Sequence, residues 1–433
     1  MRPGPHLPVA LALLAVLALA VPFAPLVIWA VAGLLGALLA ATLLEAIVLG
    51  AVHLDADRPE AVAFGLATSD VIPARVHART RVPLRLALRQ VAPPLLSPAS
   101  AEQRGTLRPA ETLAATFSFR ADARGHATLA PLHVGATAWG LVERLTAVGA
   151  PVAVDVVPDL RSIARVRARL DHWATRGFGA RLSPRLGKGR EFERLRDYVP
   201  GDDRRDIAWK VSARRGKPVV REYRVERTQH ILLCLDRGHR MGARVSGLTK
   251  LDHAVTAALV LAYVADRMED VVAGVAFAQE VENGPGFARG AAQLRRLTAF
   301  VSRVMVTRAH SDYTALAAAV RAKARQRTLV VLFTALAETE HGDLLASVRL
   351  LMPQHLVIVV ALSDPALAAA AERLPDTEED LFQTLAAKDL VDARHRAVLE
   401  LRRLGALVIE TSAPEADMAA MNAYLDVKRR QIL

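Results

Sequence analysis

From Leu7 to Leu44 the chain carries no charged residue. One membrane-crossing helix needs about 20 apolar residues, and this run of 38 is nearly twice that. Pro22 and Pro25 interrupt it near the middle. Proline lacks a backbone donor and disfavours helix just before itself. The pattern predicts a helical hairpin: a span near 7–22, a turn at Pro22-Phe23-Ala24-Pro25, and a second span near 26–48. Trp29 suits an interface, and Glu45 falls near the second exit, where a carboxylate reaches water. A cleaved signal peptide is the rival, since Ala18-Leu19-Ala20 resembles a cleavage site. Only Arg2 marks a charged leader, however, and the apolar run continues well past that site.

A hairpin returns both ends to one side of the bilayer. Arg58, Arg75, Arg79 and Arg81 open the body that follows, so that side is expected to be the cytoplasm of a plasma-membrane protein. With 23% of residues charged, the remainder does not read as a polytopic transporter, and 52% hydrophobic residues exclude a disordered chain. The single cysteine excludes an intrachain disulfide framework and a multi-cysteine zinc site.

Behind the anchor (residues 1–55), residues 56–158 read as short strands of a small β-sandwich. Leu84, Leu86 and Leu88 alternate with polar or small residues, as do Phe117 and Phe119, and Val152, Val154 and Val156. Turns are expected at Pro93-Pro94, Arg104-Gly105 and Arg124-Gly125. Residues 159–228 form a basic segment. From 160 to 228 it holds 20 Lys or Arg against nine Asp or Glu, a local excess near the +12 of the whole chain. Ion pairing with the interleaved acids is the preferred reading. Anionic lipid is the next use of any surplus, and nucleic acid is disfavoured because aromatics for base stacking are few. Residues 229–433 alternate strand and helix, which predicts a doubly wound, mostly parallel sheet. The expected strands are Ile231–Leu235, Val271–Phe277, Leu329–Phe333, Leu356–Leu362 and Ala406–Ile409. Helices are expected near 251–268, 291–306, 313–324, 339–351, 378–403 and 415–430.

One box stands out: Gly189-Arg-Glu191-Phe-Glu-Arg-Leu-Arg196-Asp-Tyr198-Val-Pro200-Gly201-Asp202-Asp203-Arg-Arg205-Asp-Ile-Ala-Trp209-Lys210, continuing through Gly216 to Arg221-Glu-Tyr223. Asp202 or Asp203 can cap a helix after the Pro-Gly turn, and Gly216 is a natural stop. Trp209 is expected to be buried, with Arg205 and Arg221 paired to acids. Glu191, Glu193, Asp197, Asp202 and Asp203 lie among arginines and are expected to stay ionised, which suits pairing better than proton transfer.

This box, with Gly247-Leu-Thr-Lys250-Leu251-Asp252-His253-Ala254, resembles the bacterial family catalogued as domain of unknown function 58. Members of that family pair a membrane hairpin and a β-rich segment with a von Willebrand factor A-like domain. One departure is Ala208, where the family commonly has Asp. The resemblance implies a metal site of the Asp-x-Ser-x-Ser type. Here the first strand ends in Asp236-Arg237-Gly238-His239-Arg240, so Gly238 and Arg240 stand where the two serines would be. Thr314 matches the threonine, and Ala335 stands at the late Asp. Hard cations require oxygen ligands, so no working metal site and no cofactor are expected. Arg237 or Arg240 could replace the cation facing a partner's carboxylate. The resemblance further implies an adaptor for a MoxR-type AAA+ ATPase in envelope-associated remodelling. Binding of anionic lipid or nucleic acid by 160–228, and a hydrolase of unknown substrate, are the alternatives.

Catalytic signatures are weak. No Walker A, H-E-x-x-H or G-x-S-x-G motif occurs, and the histidines show no metal-ligand spacing. Cys234 lies in an apolar strand, where a thiol is inert packing. His253 beside Asp252 reads as a surface pair. The protein is therefore expected to be a non-enzymatic interaction protein.

Overall fold

The computed structural model describes residues 1–19, 27–158, 186–199, 202–224, 228–336 and 341–430, with the side chains of 27, 186–194, 204 and 222–224 left aside. The chain divides into two compact units, Met1–Asp159 and Leu160–Leu433.

The first unit opens with two apolar helices, Leu7–Ala18 and Val27–Ala51. The expected proline turn lies outside the described residues. Only the second helix is long and apolar enough to cross a membrane, over Ile28–Ala51. It runs three residues past its expected end, because the chain beyond it enters a β-structure at once. The strand His53–Asp57 pairs antiparallel with Ser69–Arg79 and crosses the boundary expected at residue 55. The body is built of five-, four- and three-stranded sheets. Leu84–Arg89 alternates buried and exposed residues throughout, and Leu84, Leu86 and Leu88 are all nearly inaccessible. Phe117 and Phe119, and Val152, Val154 and Val156, likewise point inward. One expected turn is strand instead. Arg104-Gly105 sits inside Glu102–Leu107, opposite Ala87 and Leu86. A Cβ on Gly105 would lie 2.8 Å from the Leu113 side chain, so this glycine serves close packing rather than a turn.

The second unit contains a six-stranded sheet in the spatial order Val281–Asn283, Val271–Phe277, His230–Asp236, Leu329–Thr334, Leu356–Ser363, Leu407–Ser412. All neighbours are parallel except the Val281–Asn283 edge. That three-residue strand and the helix Pro365–Glu372 are additions to the expected elements. The central strand is buried on both sides. Ile231, Leu233 and Leu235 pack with the helices Lys250–Arg267, Ala291–Arg303 and Ala416–Arg430. Leu232 and Cys234 pack with Tyr313–Lys323, His341–Leu351 and Glu378–Arg403. A continuous apolar run is what such two-sided burial demands. Burial pushes the Cys234 thiol far up, consistent with inert packing. The basic segment contributes a two-stranded ribbon, Leu186–Asp197 with Val219–Arg224.

Candidate functional site

Parallel α/β sheets bind ligands outside the carboxyl ends of their strands. At that edge Asp236 ends the central strand and is 2% exposed. Its Oδ1 accepts the Gly238 N–H at 2.8 Å and the Ser311 hydroxyl at 2.6 Å. Its Oδ2 accepts the Thr334 hydroxyl at 2.6 Å and lies 3.5 Å from the Tyr313 hydroxyl. The Tyr313 and Thr334 hydroxyls are themselves 2.8 Å apart. Donors from two loops and a neighbouring strand end thus converge on one buried carboxylate, giving both of its oxygens hydrogen-bond partners.

The residues aligned with the metal motif are arranged differently from what the motif implies. Thr314 does not face Asp236; it is exposed in the first turn of Tyr313–Lys323, which Asp312 caps by accepting the Ala315 N–H at 2.8 Å. Ser311, three residues earlier, takes the place facing the carboxylate because the cap turns the chain there. Gly238 is extended at φ −63°, and a Cβ on it would lie 2.2 Å from Ser311 Oγ. The serine of the motif and Ser311 therefore exclude each other, and the hydroxyl arrives from the neighbouring loop instead. Ala335 is buried and brings no carboxylate, while Thr334 before it supplies a hydroxyl. With both Asp236 oxygens engaged this way, the set does not fit the oxygen cage of a hard cation. The signals that could have found Ser311 and Thr334 are their positions beside the two residues singled out.

Cations surround this edge. Arg237 pairs with Glu282 at 3.3 Å. Arg240 is half-buried after the central strand, and Lys250 opens the next helix. Burial pulls the Lys250 ammonium down; Asp364 opposes this, and Arg394 and Arg240 add to it. Arg394 lies 3.7 Å from Glu410, and burial lowers it as well. His253 has another partner besides its expected neighbour Asp252. Its ring meets the Val245 carbonyl at 3.0 Å, and Asp252 forms a reciprocal cap with Thr249.

The signature box forms a second surface. Arg196 grips Asp202 in a bidentate pair, at 2.6 and 2.8 Å, and Asp202 also accepts the Val199 N–H. That holds the Asp202 carboxyl below its usual range. Tyr198 donates its N–H to Pro218, and Asp203 accepts the Arg205 N–H. Glu191 is on the ribbon strand, opposite Arg224. The expected helix from Asp203 is instead a 3₁₀ turn at Arg204–Asp206 followed by a short helix, Trp209–Arg215, which Gly216 ends at φ 67°. Neither acid caps that helix, because Asp202 is held by Arg196 and Ala208 is the capping position.

Trp209 is not core: it is 68% exposed. The helix it begins buries no residue at all, and Ala208, Val219 and Val220 fill the small space beneath. A two-turn helix on a two-stranded ribbon offers no cavity for an indole. Arg205 and Arg221 are exposed and make no ion pair among the described residues, where Asp202 serves Arg196 and Asp197 serves Lys217. Lys210, Arg214 and Arg215 are exposed alongside. The box therefore presents an aromatic ring and at least five cations to solvent.

Residues 194–394 match the family described as protein of unknown function DUF58. No curated protein matches the sequence. Among solved structures, an aerotolerance-related membrane protein from Bacteroides fragilis is similar at 13% identity, covering 46% of this chain and 99% of its own, with a TM-score of 0.32. The conserved hypothetical protein BatB from Bacteroides thetaiotaomicron is similar at 10% identity, covering 47% and 99%, with a TM-score of 0.30.

Proposed function

The chain carries a DUF58 domain over residues 194–394, and from that premise we propose a membrane-anchored interaction protein that docks an acidic protein partner on its signature box. The observation that carries this reading is the exposed Trp209 among Arg205, Lys210, Arg214, Arg215 and Arg221. Tryptophan and arginine dominate the energetics of protein interfaces, and an indole this exposed has no folding role to explain it. The α/β sheet is of von Willebrand factor A type in this reading. A parallel sheet with one antiparallel edge and an aspartate ending its central strand supports it. The partner is a MoxR-type AAA+ ATPase, in keeping with the family resemblance. A hydrolytic role for Asp236 gains no support, since its oxygens are already engaged by Gly238, Ser311 and Thr334.

Trp209→Ala is expected to leave the melting temperature within the scatter of surface substitutions, about 0.5 kcal/mol. Binding to the ATPase, measured on the full chain in detergent, is expected to fall at least tenfold, roughly 1.4 kcal/mol. Undiminished ATPase binding by Trp209→Ala would contradict the docking surface. Salt-sensitive capture of DNA in place of the ATPase would move the reading to nucleic acid.

The anchor is the helix Val27–Ala51, antiparallel to Leu7–Ala18 as a hairpin. Both outer ends being tied to one β-turn supports this: His6 donates its N–H to Gly140, and Glu45 accepts that of the same glycine. The arginine-rich body then faces the cytoplasm. A reporter fused after Leu433 is expected to behave as cytoplasmic; periplasmic activity would overturn the topology.

A further inference from the structure

We infer that the turn joining the strands Leu132–Thr137 and Val142–Val148 lies in the headgroup zone of the bilayer, with Trp139 as an interfacial anchor. The inference rests on the reading of Val27–Ala51 as a membrane span and adds a second point of lipid contact to it.

The turn is fixed to the helix by Glu45. That carboxylate is fully buried and accepts from Thr137 Oγ1, from the N–H groups of Ala138, Trp139 and Gly140 on one oxygen, and from those of Leu141 and Val142 on the other, at 2.7–3.1 Å. The N-terminal segment binds the same turn: Gly4 and His6 donate to Leu141 and Gly140, both at 2.8 Å, and Arg2 pairs with Glu143 at 2.9 Å. The depth of the helix therefore sets the depth of the turn.

Apolar exposure fixes that depth. Leu43 and Leu44, just before Glu45, are 64% and 54% exposed, and Ile47, just after it, is 62% exposed. Such a surface belongs in lipid. From Ile28 to Ile47 the helix rises about 29 Å, close to the roughly 30 Å of a hydrocarbon core. Ile47 then marks the core boundary, and Glu45 lies about 3 Å inside it by helical rise. A carboxylate is tolerable there because backbone donors replace its water. The turn wrapped around it cannot stand in bulk solvent. Trp139, whose backbone is tied down, leaves its indole 45% exposed, and Leu145 on the next strand is 54% exposed. A half-exposed tryptophan at this level is what the interface selects.

The test uses the full chain in liposomes of phosphatidylcholine and phosphatidylglycerol. Spin labels are placed at Trp139→Cys, at Leu35→Cys in mid-helix, and at Ser69→Cys. Ser69 begins the strand whose Arg79 pairs with His53, so it lies about 33 Å along the strand from the anchor. Cys234 is fully buried and stays unlabelled. Collision with oxygen over a water-soluble nickel chelate is expected to be highest at residue 35, intermediate at 139 and lowest at 69. A residue 139 label as aqueous as residue 69, with residue 35 in lipid, would overturn the inference and leave the anchor standing. An aqueous label at residue 35 would sink both. Brominated lipid is expected to quench wild-type fluorescence more than that of Trp139→Phe, and equal quenching would count against the interfacial turn.

Discussion

Glu45→Ala is expected to detach the membrane helix from the β-body. Six donors converge on that carboxylate, five of them backbone N–H groups of one turn. A buried donor left without its acceptor costs about 1–3 kcal/mol. Part of this is regained where Thr137 and lipid-edge water serve the freed groups. A net loss of roughly 4 kcal/mol remains, which corresponds to about a thousandfold fall in amide protection over 138–142. Glu45→Gln separates the two carboxylate oxygens. Its remaining carbonyl can still serve Ala138, Trp139 and Gly140, but its NH₂ then faces the N–H groups of Leu141 and Val142. Hydrogen exchange is expected to accelerate at 141 and 142 while 138–140 stay protected. Unchanged exchange at all five amides in Glu45→Ala would show that the turn holds itself.

The same glutamate shows where sequence reading stops. Hydropathy places it near the end of the second apolar helix, yet assigns its charge to water. Its partners lie more than ninety residues away on a turn with no polar side chain but Thr137, so only tertiary structure reveals the backbone cradle. In the α/β unit periodicity is a sufficient guide, because apolar runs buried on both faces have few alternatives. The strands Val271–Phe277 and Leu356–Ser363 fall within a residue of expectation. Trp209 fails for the opposite reason. Residue type alone suggests burial, but an indole needs a cavity, and the ribbon beneath it has room only for Ala208, Val219 and Val220. At the sheet edge the motif located the right loops and the wrong side chains, since a helix cap at Asp312 decides that Ser311 rather than Thr314 faces inward.

Asp236→Ala is expected to destabilise the α/β unit by about 4 kcal/mol, from orphaning the Gly238 N–H and the Ser311 and Thr334 hydroxyls in a dry edge. For a unit of this size that is roughly 10 °C in melting temperature. Asp236→Asn should cost much less, because its carbonyl in the Oδ1 place keeps both the Gly238 N–H and the Ser311 hydroxyl, while the Thr334 hydroxyl can rotate to accept from its NH₂. A residue retained as a metal ligand would give a different pattern. At 1 mM Mg²⁺ and a micromolar dissociation constant, binding would add about 4 kcal/mol, again roughly 10 °C, and chelator would remove it. The expected result is a wild-type melting temperature that neither millimolar Mg²⁺ nor chelator moves. Gly238 has no side-chain oxygen, and a serine there would collide with Ser311. Ala335 brings no second carboxylate, and Arg237 and Arg240 add positive charge beside the strand end. Docking on the box should likewise survive chelation. Micromolar Mg²⁺ or Mn²⁺ binding by calorimetry, abolished in Asp236→Ala, would overturn this and make Asp236 a ligand whose hydroxyl partners rearrange around the ion.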